Sequence, residues 1–171
     1  MRNKFLIFLT IFFLNSILKA ENLLIESKKI SLDKKTELSI FEDEVIITTS
    51  ENNIIKSDYA EYDKKKGIIV LKENVHAIDN KQNEIKSNHA IYNENLKILK
   101  SIGSTKITTS ENYILKGKDI AFDNLNEFII SDNKTIITDQ DNNKIYLSNF
   151  KYLINDYIFK SVEEIKIEDN F

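Results

Sequence analysis

The stretch Ile54–Asn83, IIKSDYAEYDKKKGIIVLKENVHAIDNKQN, decides the fold because it recurs. Moved forward by thirty residues, it aligns without a gap with 84–113, EIKSNHAIYNENLKILKSIGSTKITTSENY. Thirty residues later it aligns again with 114–143, ILKGKDIAFDNLNEFIISDNKTIITDQDNN. A last copy begins at Lys144, and a degenerate first copy runs over about 24–53. A fixed period of this length is typical of an architecture in which similar units stack on one another.

Each copy has the pattern of two β-strands. In the second half, apolar residues recur at every other position, as at Ile69, Leu71 and Val75, which is the pattern of a strand with one face buried. The first half alternates as well, but its parity changes midway between Ile55 and Ala60. A change of parity within a strand predicts a bulge or bend that keeps the apolar side facing inward.

Turns rich in Asn, Asp, Ser and Gly separate the strands, for example at 63–67 within a copy and at 80–83 between copies. A single two-stranded hairpin cannot bury its own apolar face. The sequence therefore predicts an all-β fold of about five 30-residue, two-strand repeats stacked edge to edge into two facing sheets, whose end strands keep unpaired edges.

Composition excludes several classes of protein. The chain has 171 residues, of which 42% are hydrophobic, enough to bury a core. It has no cysteine, which excludes disulfides, thiolate metal sites and a cysteine nucleophile. No phosphate-binding glycine loop and no nucleophile elbow is present, so we expect neither an enzyme nor a cofactor or metal.

Residues 1–20 have the pattern of a secretory signal peptide: Arg2 and Lys4 precede the apolar run Phe5–Leu14, and Ala20 ends the segment. The apolar run is shorter than the roughly 18–20 residues that a membrane span requires. We therefore expect cleavage before Glu21 and a mature β-domain over 21–171. Residues 1–20 hold three of the 24 basic residues and none of the 27 acidic ones, so the remainder has a net charge of −6. That charge disfavours nucleic acid as a partner.

Two copies carry a motif that resembles a known family. The pattern [KR]-S-[DN]-x-A-x-Y-[DN] occurs at Lys56–Asp63 and Lys86–Asn93, and the first is followed by an apolar strand and Glu73-Asn74-Val75. This arrangement resembles the OstA-like family of periplasmic lipopolysaccharide-transport proteins over about residues 24–168. Family copies usually have Gly-Asn-Val where this chain has Glu73-Asn74-Val75, and Gly103 keeps the glycine in the next copy.

The resemblance implies that the stacked repeats form an open twisted β-jelly roll. The same resemblance implies a periplasmic protein whose apolar groove shields the acyl chains of lipopolysaccharide. It also implies pairing of edge strands with homologous jelly-roll proteins, or with further copies head to tail, in a bridge between the inner and outer membranes. The residues expected to line the lipid-binding interior are Phe41, Val45, Ile47, Tyr62, Ile69, Leu71, Val75, Tyr92, Leu99, Ile107, Phe122, Ile129, Ile137, Tyr152, Phe159 and Ile165.

Several alternatives stay open. Within the family, the chain fits the bridging component LptA or the N-terminal domain of LptD about equally, whereas LptC would require a retained anchor. Outside the family, a non-lipid β-repeat scaffold would have a similar interior. Small residues at inward positions, such as Ser57, Ser87, Ser101, Ser131 and Ser161, favour the lipid carrier, because they are expected to leave room inside.

Overall fold

A computed structural model describes residues 23–170 of the chain. The predicted signal peptide therefore lies outside the described residues. Over that range the protein is entirely β, with every strand pair antiparallel. Between Leu23 and Asn170 no helix is long and apolar enough to cross a membrane.

Fifteen strands follow the repeat. Their bounds are β1 Leu23–Glu26, β2 Lys29–Asp33, β3 Leu38–Thr49, β4 Ile54–Asp63, β5 Ile68–Ile78, β6 Glu84–Asn93, β7 Ile98–Thr108, β8 Ile114–Lys118, β9 Ala121–Asp123, β10 Phe128–Ser131, β11 Thr135–Thr138, β12 Lys144–Leu147, β13 Phe150–Leu153, β14 Ile158–Ser161 and β15 Lys166–Glu168. The long strands β3 to β7 bend midway, and in the last two copies each long strand is replaced by two short ones.

The bends divide the sheet into two layers. Layer A contains β1, the parts of β3 to β7 at 45–49, 54–57, 75–78, 84–87 and 104–108, then β8, β11, β12 and β15. Layer B contains β2, the parts at 38–42, 59–63, 68–72, 89–93 and 98–102, then β9, β10, β13 and β14.

The bends are β-bulges at which the pairing register shifts, as between Glu42 and Val45 of β3 and between Lys72 and Val75 of β5. The predicted bend in the first half of each copy is confirmed, since the register of β4 shifts between Lys56 and Tyr59. The second half bends too, which the sequence did not predict.

Left-handed backbone positions recur with the period of the repeat. The last residue of each turn within a copy has a positive φ, as at Gly67 (65°), Lys97 (57°) and Glu127 (55°). In the turns between copies, Asn52 and Gln82 also have a positive φ. The predicted turn residues also bond their own turns: the Asp63 Oδ1 atom accepts a hydrogen bond from the backbone N–H of Lys66, and Asn93 does the same for Leu96.

The stack of strands is open at both ends. Within residues 23–170, β1 and β2 each pair only with β3, while β14 pairs only with β13 and β15 only with β12. Layers A and B face each other and bury a continuous apolar core between them. The open, all-β jelly roll predicted from the repeat and from the family resemblance is confirmed.

Candidate functional site: the interior between the layers

Most of the predicted interior residues are buried between the two layers. The buried ones are Phe41, Val45, Ile47, Ile69, Leu71, Val75, Tyr92, Leu99, Ile107, Phe122, Ile129, Ile137 and Tyr152. Tyr62 and Phe159 are partly buried and pack against this core. That these side chains contact lipid stays a prediction, because a core of this kind also stabilises the fold by packing alone.

Ile165 departs from the prediction. It lies just before β15, outside any strand, and its side chain is 44% exposed. The physical reason is its place at the end of the stack: β15 pairs only with β12 within residues 23–170, so no further strand covers this position.

The middle of the interior is filled. The cavity there measures only about 10 Å³ and is bounded by Ile55, Ala77 and Ile85 of layer A and by Tyr92, Leu99 and Phe122 of layer B. That volume is close to the smallest that admits one water molecule. An acyl chain can therefore enter the middle of the interior only if the layers move apart.

The inward serines do not leave the expected space. The Ser57 Oγ atom donates a hydrogen bond to the carbonyl of Tyr59 (3.0 Å), and the Ser87 Oγ atom donates one to the carbonyl of His89 (2.9 Å). Buried Ser101 bonds both the carbonyl and the N–H of Ile120. These residues lie at the bends, where strand pairing is interrupted, and their hydroxyls satisfy backbone groups that the bulges leave unpaired.

A larger opening lies at the N-terminal end of the stack. This N-terminal mouth has a volume of about 290 Å³ and is lined by Leu23, Ile25, Ser39, Phe41, Tyr62, Lys64 and Glu94. Leu23 and Ile25 come from β1 of layer A, whereas the other residues belong to layer B or its turns. The sequence prediction missed Leu23 and Ile25, which lie in a run of three consecutive apolar residues, Leu23–Ile25, that shows no alternation.

The far edges of the two layers meet along a seam, which we define as the contacts between the turns of layer A and residues of layer B. The Lys97 ammonium lies 3.5 Å from Glu51, and the Lys81 ammonium lies 2.7 Å from Glu127. The Tyr152 hydroxyl donates a hydrogen bond to Glu111 at 3.1 Å. These side chains close the interior opposite the bends.

Aromatic rings fill the C-terminal part of the interior. Phe159 stacks on Tyr152, with ring centroids 4.2 Å apart and an interplanar angle of 17°. The ring of Tyr113 meets Phe159 edge-on at 5.6 Å. Tyr113, which the sequence prediction missed, occupies the position held by Asn53 and Asn83 in earlier copies.

Tyr92 is the most unusual polar group of the interior. Its side chain is buried, and its hydroxyl has no hydrogen-bond partner within residues 23–170. Burial, together with the nearby carboxylates of Glu51 and Glu94, raises the pKa of the Tyr92 hydroxyl well above its ordinary value, so it stays protonated. In contrast, the Tyr62 hydroxyl at the N-terminal mouth lies 2.7 Å from Glu94.

No group of three or more His, Asp or Glu side chains within the described part of the chain is arranged to hold a metal ion. The interior combines an apolar surface, polar groups along its seam and an opening at its N-terminal end.

No protein-family model matches the chain, and no curated protein sequence matches it. Among solved structures, the chain is similar to the crystal structure of LptH, the LptA homologous periplasmic component of the conserved lipopolysaccharide transport device from Pseudomonas aeruginosa. The match covers 86% of this chain and 94% of LptH, with 11% sequence identity and a TM-score of 0.35. Backbones that differ by this much do not allow side-chain positions or a function to be transferred from one protein to the other.

Proposed function

We propose that this chain is an exported periplasmic protein that binds lipopolysaccharide and shields its acyl chains between layers A and B. The N-terminal mouth is the observation that carries the proposal. It is an opening of about 290 Å³ that leads towards a continuous apolar core, and it lies beside β1 and β2, each of which pairs along one edge only, with β3.

The chemistry of the mouth fits a lipid. Leu23, Ile25 and Phe41 offer apolar surface, and each CH₂ group buried there stabilises the complex by about 0.8 kcal/mol. Lys64 and Glu94 supply charged groups to the same opening, where the polar part of the lipid would lie.

Entry of a longer acyl segment requires the seam to part. The ion pairs Lys97–Glu51 and Lys81–Glu127 are partly exposed to solvent, which limits the contribution of each to the order of 1 kcal/mol. Burying a few CH₂ groups gains more than the loss of one such pair costs. The ion pairs of the seam thus do not prevent lipid binding from opening it.

The partners follow from the open ends. Each end of the stack presents strand edges that can be extended by β-augmentation, by a homologous jelly-roll protein or by a second copy of this chain. A row of such units would form the bridge between the inner and outer membranes.

Site-specific photo-crosslinking in cells that make lipopolysaccharide tests the proposal. The photoreactive residue is placed at Ile25 in the mouth and at Leu99 in the middle of the interior. The control is Lys100, the neighbour of Leu99 on the exposed side of β7. We expect lipopolysaccharide adducts at Ile25 and Leu99 and none at Lys100. An exported, folded protein without adducts at either interior site would refute the proposal.

One observation favours a second candidate, a β-repeat scaffold with a purely structural interior. The cavity of about 10 Å³ in the middle is what a closed core has. Adducts at Ile25 alone would limit lipid binding to the N-terminal mouth, and the middle would then be ordinary core.

A further inference from the structure

The outer face of layer A carries a row of cations that the lipid-binding interior does not use. Lys56 pairs in register with His76, His76 with Lys86, Lys86 with Lys106, and Lys106 with Lys116. We define Lys56, Lys86, Lys106 and Lys116 as the lysine row. Five adjacent strands, β4 to β8, thus each place a basic side chain at the same level of the sheet, over about 19 Å at about 4.8 Å per strand.

The fold does not require this row. Like charges directly opposite each other on neighbouring strands destabilise a sheet. Lys86 is partly compensated, since its ammonium lies 2.9 Å from Glu84. Between Leu23 and Asn170, no carboxylate lies within 4.0 Å of the ammonium groups of Lys56, Lys106 or Lys116, and all three side chains are exposed.

The corresponding line on the outer face of layer B is different. Its paired residues from β2 to β14 are Ser31, Ile40, Glu61, Val70, Ile91, Lys100, Ala121, Ile130, Lys151 and Lys160. The first five of these positions carry no cation, and two uncharged residues separate Lys100 from Lys151. An uninterrupted line of basic residues over five strands is therefore a property of layer A and not of the repeat as a whole, although residues 21–171 together carry a net charge of −6.

The cations cover an area and not only a line. Lys118 lies opposite Ser104 on the same face, and exposed Lys134 borders a depression of about 520 Å³ together with Lys116 and Lys166. A second depression, of about 460 Å³, lies beside Lys86. Carboxylates are present at the margin: Glu164 borders the first depression, and Glu168 pairs with Lys166.

Apolar and aromatic side chains continue the row. Lys116 pairs with Ile136, which is 38% exposed, and Ile136 pairs with half-buried Tyr146. Lysines beside an exposed aliphatic residue and a tyrosine suit the boundary between phosphate headgroups and acyl chains. A free anion would need a cation in a closed pocket, whereas these lysines all lie exposed on a broad face.

From these observations we infer that the outer face of layer A docks onto the surface of a membrane rich in anionic phospholipids. The lysine row contacts the phosphate headgroups, and Ile136 and Tyr146 reach the interface beside it. This inference goes beyond lipid binding in the interior and does not depend on it, because it uses the opposite face of the sheet.

Vesicle co-sedimentation tests the docking face. The full chain is mixed with vesicles of phosphatidylcholine alone or of phosphatidylcholine with phosphatidylglycerol. The test variant is Lys56→Glu/Lys106→Glu/Lys116→Glu. The control, Lys34→Glu/Lys100→Glu/Lys160→Glu, makes the same change of charge at exposed positions of layer B and its first turn. Residues 1–20 are present in every variant, so their own partitioning cancels in the comparison.

We expect the wild type to prefer the anionic vesicles and to be released by raising the salt from 0.1 to 0.5 M. Each lysine near an anionic surface strengthens binding roughly fivefold, so the loss of three lysines should weaken binding about 100-fold, and the three added carboxylates should weaken it further. The control should bind nearly as well as the wild type. Equal losses in the two variants would overturn the inference. Row-dependent binding to soluble polyphosphate but not to vesicles would also overturn it and would identify a linear polyanion as the partner.

Misfolding is excluded by a second variant. Lys106→Glu alone places a carboxylate between Lys86 and Lys116, so it should leave the thermal unfolding midpoint unchanged or higher while it weakens vesicle binding. A loss of stability in parallel with the loss of binding would show that the row is structural.

Discussion

Asp43, Glu73 and Gly103 occupy one position of the repeat and one backbone conformation, with φ values of 62°, 63° and 78°. All three lie at the bend between the layers. A residue with a Cβ atom loses about 1–2 kcal/mol in this left-handed region, and glycine does not. The first two copies thus contain local strain that the third avoids.

Replacing Glu73 by glycine should therefore stabilise the protein. The side chain of Glu73 is exposed and makes no hydrogen bond or ion pair within the described range. We expect Glu73→Gly to raise the free energy of unfolding by about 0.5–1 kcal/mol, measured by urea denaturation. Lys72→Gly, at a neighbouring position with ordinary strand geometry, should lower it, because glycine weakens a strand and the contact of the Lys72 ammonium with the Tyr59 ring is lost. If both variants lost stability equally, the left-handed conformation at Glu73 would be wrong.

The buried tyrosines make a matched pair for a second prediction. The Tyr92 hydroxyl is buried without a partner in the protein, whereas the Tyr152 hydroxyl donates to Glu111. Tyr92→Phe should leave the free energy of unfolding unchanged or raise it by about 1 kcal/mol, because an unpaired buried hydroxyl is costly. Tyr152→Phe should lower it by about 1 kcal/mol. If Tyr92→Phe lowered the free energy of unfolding by more than about 1 kcal/mol, the Tyr92 hydroxyl would have a hydrogen-bond partner after all.

Residue patterns predicted which side chains face inward but not how far each is buried. Alternation correctly placed Ile69 and Leu99 in the core, because the side-chain period of a strand fixes its face. It could not distinguish Ile165 from these residues, because exposure at the end of a stack depends on whether another strand follows. Leu23 and Ile25 were missed because they line the N-terminal mouth only by lying at the open end of the stack, which the alternation does not show.

At the scale of the strands, the alternation of apolar residues reveals one of the two bends in each copy but not the other. Asp43 and Glu44, like Glu73 and Asn74, place two successive left-handed residues within one strand. Two such residues turn the strand, but the inward-facing residues before and after them, such as Leu71 and Val75, keep the same odd numbering. The alternation therefore shows no sign of the bend. The shift of one residue in β4 does change the parity and was predicted from it. The role of the serines at the bends could not be predicted without knowing that both halves bend.

The seam between the layers should respond to acid. The hydrogen bonds from Lys81 and Asn155 hold the pKa of the Glu127 carboxyl below its ordinary value of 4.5. A carboxyl group with a lowered pKa in the folded state contributes stability above pH 4.5, and this contribution is lost as the pH falls through the lowered value. We expect the thermal unfolding midpoint to fall below pH 4.5, and Glu127→Gln to remove part of this dependence.

The Glu127→Gln experiment needs a control variant at a carboxylate outside the seam. Glu73→Gln removes an exposed carboxylate that makes no hydrogen bond in the described range, so its unfolding midpoint should follow that of the wild type from pH 6 to pH 3. Glu127→Gln should start below the wild type at pH 6 and converge with it at pH 3. Parallel curves for wild type and Glu127→Gln would contradict a stabilising role of the Lys81–Glu127 contact.

At the scale of the whole molecule, the open ends should promote association. Ile30 and Leu32 of β2 are 53% and 67% exposed, and both pair with inward positions of β3, opposite Phe41 and Ser39. We expect the protein to associate with increasing concentration in sedimentation velocity experiments, and Ile30→Lys/Leu32→Lys to stay monomeric. Leu125→Lys, at an equally exposed leucine in a turn of layer B, should associate like the wild type. Identical behaviour of all three would argue against pairing at this end.

The 30-residue period also sets a unit of length for the molecule. Each copy adds two strands to each layer, which lengthens the stack by about 10 Å. Consecutive copies join without insertions until the final few residues, so an in-frame duplication of one copy would insert a matching unit with its turns and bends already in place. A protein built in this way can span gaps of different width by changing its number of copies in whole steps, with no new fold required.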